Sequence, residues 1–259
     1  MLIDTHSHIY LEHFDDDRDE VIKAAKDNGV EIILMPNIDS TTVKSLHQVE
    51  KNYDGCVAMM GLHPTSVKDD YKQELDLVEK ALGERSYIGV GEIGIDLYWD
   101  KSYKKEQITA FKHQIIWAKE LDLPIVIHCR EAFNEIFKVV DELYDERLRG
   151  VFHSFSGGVE EAEHVLSYQS FKLGINGVVT FKKSDLPEVL EHIDPKFLVI
   201  ETDAPYLTPS PYRGKRNQPA YLKYVVNRLC EIYHIEESQL EKIVEQNSLE
   251  LFEIKDFVP

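Results

Sequence analysis

Short apolar stretches alternate with longer amphipathic ones along the whole chain, and eight such repeats leave few architectures open. The apolar runs fall at about 1–5, 30–36, 56–62, 87–92, 124–128, 150–153, 171–176 and 197–202. Helical patterns fill 15–28, 40–53, 70–84, 104–121, 131–146, 158–168 and 184–193 between them. Alternation of this kind makes βα units around a parallel sheet. Eight in series predict an α/β fold, a single closed (β/α)₈ TIM barrel. Residues 218–254 add two extra C-terminal helices, with apolar spacing at Leu240, Ile243, Val244 and Leu251. With no Gly/Ser-rich linker or low-complexity tract, residues 1–259 are expected to form one domain. Local punctuation agrees: Gly29 suits the left-handed end of the first helix, Pro124 the start of the fifth strand, and Pro187 the first turn of a helix.

Composition excludes several classes. No apolar run approaches the roughly 20 residues that span a bilayer, so no membrane association is expected. The opening Met1-Leu2-Ile3-Asp4-Thr5-His6 has neither a basic region nor a long apolar one, which predicts a cytoplasmic protein. Cys56, Cys129 and Cys230 are odd in number and widely spaced, and read as reduced, buried thiols. The net charge of −18 argues against broad electrostatic binding of nucleic acid. A polyanionic substrate must therefore meet a locally positive site.

The chemistry gathers at strand ends. The first strand ends in Asp4-Thr5-His6-Ser7-His8, and residues two apart on a strand share a face, so His6 and His8 converge. Glu92 closes the fourth apolar run, His128 the fifth, His153 the sixth and Asp203 the eighth. In a (β/α)₈ barrel these ends form one rim, where active sites sit. Imidazoles and carboxylates together suit a divalent ion of the Zn²⁺, Mn²⁺ or Mg²⁺ kind. A polar residue at any one of these ends could instead start a loop or cap a helix; six at five ends are hard to explain that way.

These stretches form recognisable motifs: DTHSH at 4–8, GLHP at 61–64, GEIGID at 91–96, HCREA at 128–132, HSFSG at 153–157, ETDAPYLTP at 201–209 and RGKRNQP at 213–219. Together they resemble the TatD family of metal-dependent hydrolases, in the amidohydrolase-like superfamily, from Met1 to about Phe252. The resemblance implies a deoxyribonuclease that cleaves phosphodiester bonds, on single strands or ends, with a two-metal-activated water. It implies that His6, His8 and Asp203 hold one ion, that His128 and His153 hold a second, and that Glu92 bridges them. Asp203 would also accept the water's proton. DNA or another phosphodiester is the expected partner, and no stable protein partner is predicted.

Several residues keep two readings. His63 is a substrate-phosphate contact or a loop histidine bonded to backbone. Arg130 binds phosphate or pairs with an acidic neighbour. Arg213 and Arg216, with Lys215, form a basic cluster whose forked donors suit phosphate, or a solvated loop. Glu201 orients a ligand or a loop arginine. Gln218 stands where the family pattern leads one to expect a carboxylate, which leaves the arginine loop without one partner. The rival functions are a related hydrolase of a small phosphate ester, amide or lactone, and a non-catalytic metal-binding barrel.

Overall fold

The computed structural model describes residues 1–254. Among them, parallel strands β1 (Leu2–Asp4), β2 (Val30–Pro36), β3 (Cys56–Met59), β4 (Val90–Asp96), β5 (Ile125–Arg130), β6 (Gly150–Phe152), β7 (Phe171–Ile175) and β8 (Leu198–Ile200) pair in chain order. The connecting helices are α1 (Arg18–Asp27), α2 (Val43–Asn52), α3 (Tyr71–Glu84), α4 (Lys104–Glu120), α5 (Phe133–Leu143), α6 (Val159–Ser167) and α7 (Leu186–Leu190). Two more, α8 (Leu222–Tyr233) and α9 (Glu237–Phe252), follow β8.

Regular ladders join β1 to β3 and β4 to β8, and two irregular seams close the ring. At the first, Met60 bridges to Val90, with Gly91 N–H donating to Met60 O at 3.0 Å. At the second, Thr5 N–H donates to Ile200 O (3.1 Å), Asp203 N–H to His6 O (2.8 Å) and His8 N–H to Ala204 O (2.7 Å). Buried Asp4 reinforces this seam, accepting from Thr202 Oγ1 at 2.6 Å and Thr202 N–H at 2.9 Å. The sheet is thus a closed (β/α)₈ barrel.

Strand alternation sorts the apolar residues into two layers. Ile3, Ile32, Leu34, Met59, Val126, Val151 and Val199 fill the barrel interior, and Leu251 and Phe252 at the end of α9 join them. Their neighbours along the strands, such as Ile33, Met35, Ile125, Ile127, Phe152, Leu173 and Ile200, pack beneath the helices. No helix of the described residues is long and apolar enough to cross a membrane.

Several strand ends differ from expectation: β3 stops at Met59, and Asp203 lies beyond the end of β8 at Ile200. Glu92 and His128 do not close their strands: β4 runs on to Asp96 and β5 to Arg130, with Gly94 paired to His128 and Asp96 to Arg130. Gly94 makes this possible. Its φ of 141° is rarely open to L side chains, and a Cβ there would strike the His128 carbonyl oxygen. The three cysteines are free, and only Cys56 is fully buried.

Candidate metal centre

The inward alternation that fills the barrel also delivers its chemistry. Along β5, Val126 is followed on the same face by His128 and Arg130; along β4, Glu92 is followed by Gly94 and Asp96. Past the inward Val151 comes His153, and past Val199 come Glu201 and Asp203. His6 and His8 follow β1 across the second seam, and their Nε2 atoms lie 3.2 Å apart.

Glu92 is the hub. Its Oε2 lies 3.1 Å from His6 Nε2 and 3.5 Å from His8 Nε2. Its Oε1 faces the other side, 2.7 Å from His128 Nδ1, 3.3 Å from His63 Nε2 and 3.8 Å from His153 Nε2. Asp203 Oδ1 is 3.6 Å from His8 Nε2 and 3.9 Å from both His6 Nε2 and His153 Nε2. Of these groups, His6 and Glu92 are almost fully shielded from solvent.

The partners behind the rings set their tautomers. Tyr10 gives its one hydroxyl proton to Pro36 O, so it accepts from His8 Nδ1 at 2.9 Å, and His8 Nε2 keeps a lone pair for the cluster. His153 Nδ1 lies 2.8 Å from Glu201 Oε1, which leaves its Nε2 facing inward in the same way. His128 turns Nε2 to Asp96 Oδ2 at 2.9 Å and Nδ1 to Glu92. His63 is the opposite case. Its Nδ1 accepts from Thr65 N–H at 3.1 Å, so its Nε2 carries the proton and donates.

Electrostatics show the same demand for positive charge. Burial opposes the cationic form of His128, yet hydrogen bonds to Asp96 and Glu92 hold it up at about 9. Burial likewise opposes the cation on His153, yet Glu201 and Glu92 hold it at about 10. Burial drives His6 well below its ordinary value, assisted by His153. Glu92 stays well below the carboxylate range despite burial, because His63, His6 and His153 surround it. Burial raises Asp203 to about 6. The raised values of His128 and His153 show how strongly the surrounding carboxylates favour positive charge at this point. Facing imidazole lone pairs and shared carboxylates are a donor set that divalent cations satisfy.

Donor atoms of three groups fall within 4.8 Å of one another: His6–His8–Asp203, His63–Glu92–His128 and His6–His153–Glu201. The cavity above them, about 650 Å³, is lined by His8, His63, Glu92, His128, Arg130, His153 and Asp203 among others. The structure therefore brings together all six metal candidates with His63 and Arg130. It does not bring in the arginine loop. Arg216 is held bidentately by Asp17 at 2.9 and 2.6 Å, and Arg213 donates to Thr208 O while stacking on Phe181. That loop is anchored without help from Gln218's side chain: Asn217 Nδ2 donates to Thr202 O at 2.8 Å and Tyr206 O at 2.6 Å. Sequence reasoning missed Asp96, although its inward spacing from Glu92 was a usable signal. It left Glu201 with two roles, of which the contact with a candidate ligand is the one seen.

The family pattern described as TatD related DNase matches residues 3–253. The chain belongs to the TatD family. It is 37% identical over 255 residues to the "uncharacterized metal-dependent hydrolase YabD" of Bacillus subtilis, covering 98% of this chain and 100% of the relative. It is 29% identical to the "3'-5' ssDNA/RNA exonuclease TatD" of Cronobacter sakazakii, covering 97% of each. The crystal structure of YjjV, a TatD homologue from Escherichia coli, superimposes with a TM-score of 0.92 at 28% identity, covering 98% of both chains. The barrel is thus that of a TatD fold.

Proposed function

We propose that this TatD-family protein, a metal-dependent hydrolase, is a phosphodiesterase acting on DNA strands through two divalent ions. The observation that carries the reading is Glu92, whose two oxygens face two different histidine groups. A carboxylate so placed suits a bridge. His6, His8 and Asp203 would hold one ion, and His128 and His153 the other. Such ions lower the pKa of a bound water and offset charge on phosphate oxygens.

The chain's own residues supply the rest. Asp203, raised to about 6 by burial, is suited to taking a proton from the attacking water and passing it to the leaving oxygen. Its Oδ1 faces the histidines, which leaves Oδ2 for that task. His63 Nε2–H, fixed as a donor by Thr65, is suited to a non-bridging phosphate oxygen. Glu201 and Tyr10 keep His153 and His8 turned with Nε2 inward. Arg130, on the cavity wall, adds positive charge in a protein of net charge −18. Arg213 and Arg216 would have to leave Thr208 and Asp17 to reach a substrate, and are not part of the proposed contact set. The name of the Cronobacter relative supports single strands as the substrate form.

The test uses metal-stripped protein and a short single-stranded DNA, with Mg²⁺, Mn²⁺ or Zn²⁺ added back. Cleavage that needs the ion and is lost in Glu92→Ala supports the reading. Folded, ion-loaded protein that cleaves no phosphodiester with any of them refutes it.

A further inference from the structure

The segment that follows β4 carries the most solvent-exposed large apolar side chain among the described residues. Trp99 is 69% exposed and Tyr98 beside it 49%. Water contact on this scale is unfavourable for an indole, and such exposed apolar surface commonly marks a contact site. The pair is nevertheless held in place. Asp96 Oδ1 accepts from Tyr98 N–H at 2.9 Å and from Trp99 N–H at 3.1 Å, while the other carboxylate oxygen holds His128. The two rings meet edge to face, 4.9 Å between centroids.

Arg130 completes the group. Its guanidinium lies 3.9 Å from the Tyr98 ring centroid and 5.4 Å from that of Trp99. Among the described residues, the other arginines each reach a hydrogen-bond acceptor, whereas Arg130 has none. In a chain with 47 acidic and 29 basic side chains, a fork of five donors without an acid is a conspicuous exception. Trp99 and Arg130 both line the cavity that holds Glu92 and His128.

We infer that Tyr98, Trp99 and Arg130 form a base-stacking subsite for the nucleotide adjoining the scissile phosphate. The inference rests on the phosphodiesterase reading and deepens it. An indole face and a guanidinium plane both stack on nucleobases whatever their identity, and the guanidinium's free donors suit a phosphate. Stacking needs a base with an open face, which unpaired strands and frayed ends offer and internal base pairs do not. Short-range stacking also suits an acidic protein, whose overall field repels a long polyanion. The single-strand preference would then arise at this wall of the cavity rather than at the ions.

Two measurements test it. The first compares kcat/KM for a short single-stranded oligonucleotide and for an abasic strand of equal length. Wild type should prefer the base-bearing strand about tenfold, the order set by one stacked base. Trp99→Ala should bring that ratio to about one, and Trp99→Phe should restore most of it. A ratio near one in wild type, or a ratio unchanged by Trp99→Ala, overturns the subsite and leaves the phosphodiesterase reading intact. The second needs no turnover. In Trp117→Phe, Trp99 is the one remaining tryptophan. Deoxyadenosine monophosphate should quench its fluorescence saturably, and deoxyribose 5-phosphate should not. If neither strand is cleaved with any ion, the phosphodiesterase reading fails and this arm decides alone. Selective quenching then supports the aromatic subsite, and equal or absent quenching overturns it.

Discussion

Replacing Asp96 by asparagine keeps the side chain's size but leaves one acceptor oxygen where there were two. In the wild type, Oδ2 serves His128 Nε2 at 2.9 Å, and Oδ1 serves the Tyr98 and Trp99 amides. An amide can satisfy one side or the other, so one set of donors faces an NH₂ group. Burial works against the Asp96 carboxylate, yet its hydrogen bonds from His128, Trp99 and Tyr98 hold its pKa below the ordinary value. Losing a hydrogen bond to such a charged group costs about 1.5–3 kcal/mol. That range agrees with the roughly 10–100-fold loss of metal affinity seen when a carboxylate behind a ligating histidine is removed. Asp96→Asn should therefore weaken one of the two proposed ions, the one near His128, by about 10–100-fold. The other should change by less than about threefold, because Asp96 contacts none of His6, His8 or Asp203. Calorimetric titration of metal-stripped protein, with circular dichroism to show that the variant is folded, reads both sites. Two unchanged affinities, or an equal fall in both in a folded variant, would refute the positioning role of Asp96.

Further outcomes follow from the barrel and its loops. Chelation should lower the melting temperature, since an ion at 100 times its Kd adds about 2.7 kcal/mol to stability; an unchanged melt would count against tight resident ions. Phe252→Ala, in the apolar cluster that fills the barrel, should lose about 3–5 kcal/mol in urea unfolding. A loss below 1 kcal/mol would show that α9 does not share that core. Arg216→Ala should lower stability by up to about 1 kcal/mol and leave KM within about twofold, because Asp17 occupies the guanidinium. A tenfold rise in KM would return Arg216 to the substrate contacts. The hydrogen bond from Arg216 holds Asp17 below its ordinary pKa, so the pair's contribution is present above the carboxylate range. It is lost as pH falls through the depressed Asp17 value, and the stability gap between wild type and variant should narrow by pH 3; a gap that widens in acid would contradict this.

Much of this was legible in the residues. Val30–Pro36 falls where the apolar run predicts, and Pro187 sits in the first turn of α7. The inward spacing that carries Val126 to His128 and Val199 to Asp203 is a period-two pattern, visible before any coordinates. What escaped has physical reasons. The fourth apolar run reads as ending at Glu92, whereas here Gly94 is the residue that lets β4 continue to Asp96 beside His128. Asp96 lay beyond that expected strand end. The basic loop looked like a phosphate site because sequence shows charge and not its partners; Asp17, 199 residues from Arg216, was invisible as the acceptor.

The second seam of the barrel gives the proposed ions different histories. Asp4 and Thr202, 198 residues apart, close the ring where the first and last strands meet. The His128–His153 side belongs to one continuous sheet, β4 to β8. The group of His6, His8 and Asp203 exists only after the barrel's first and last strands have come together, a late event for contacts so distant in sequence. On the proposed ligand assignment, His6, His8 and Asp203 would hold the first ion as a latch across that join. Its uptake during refolding would time the moment of ring closure, and its release would be the opening move of unzipping.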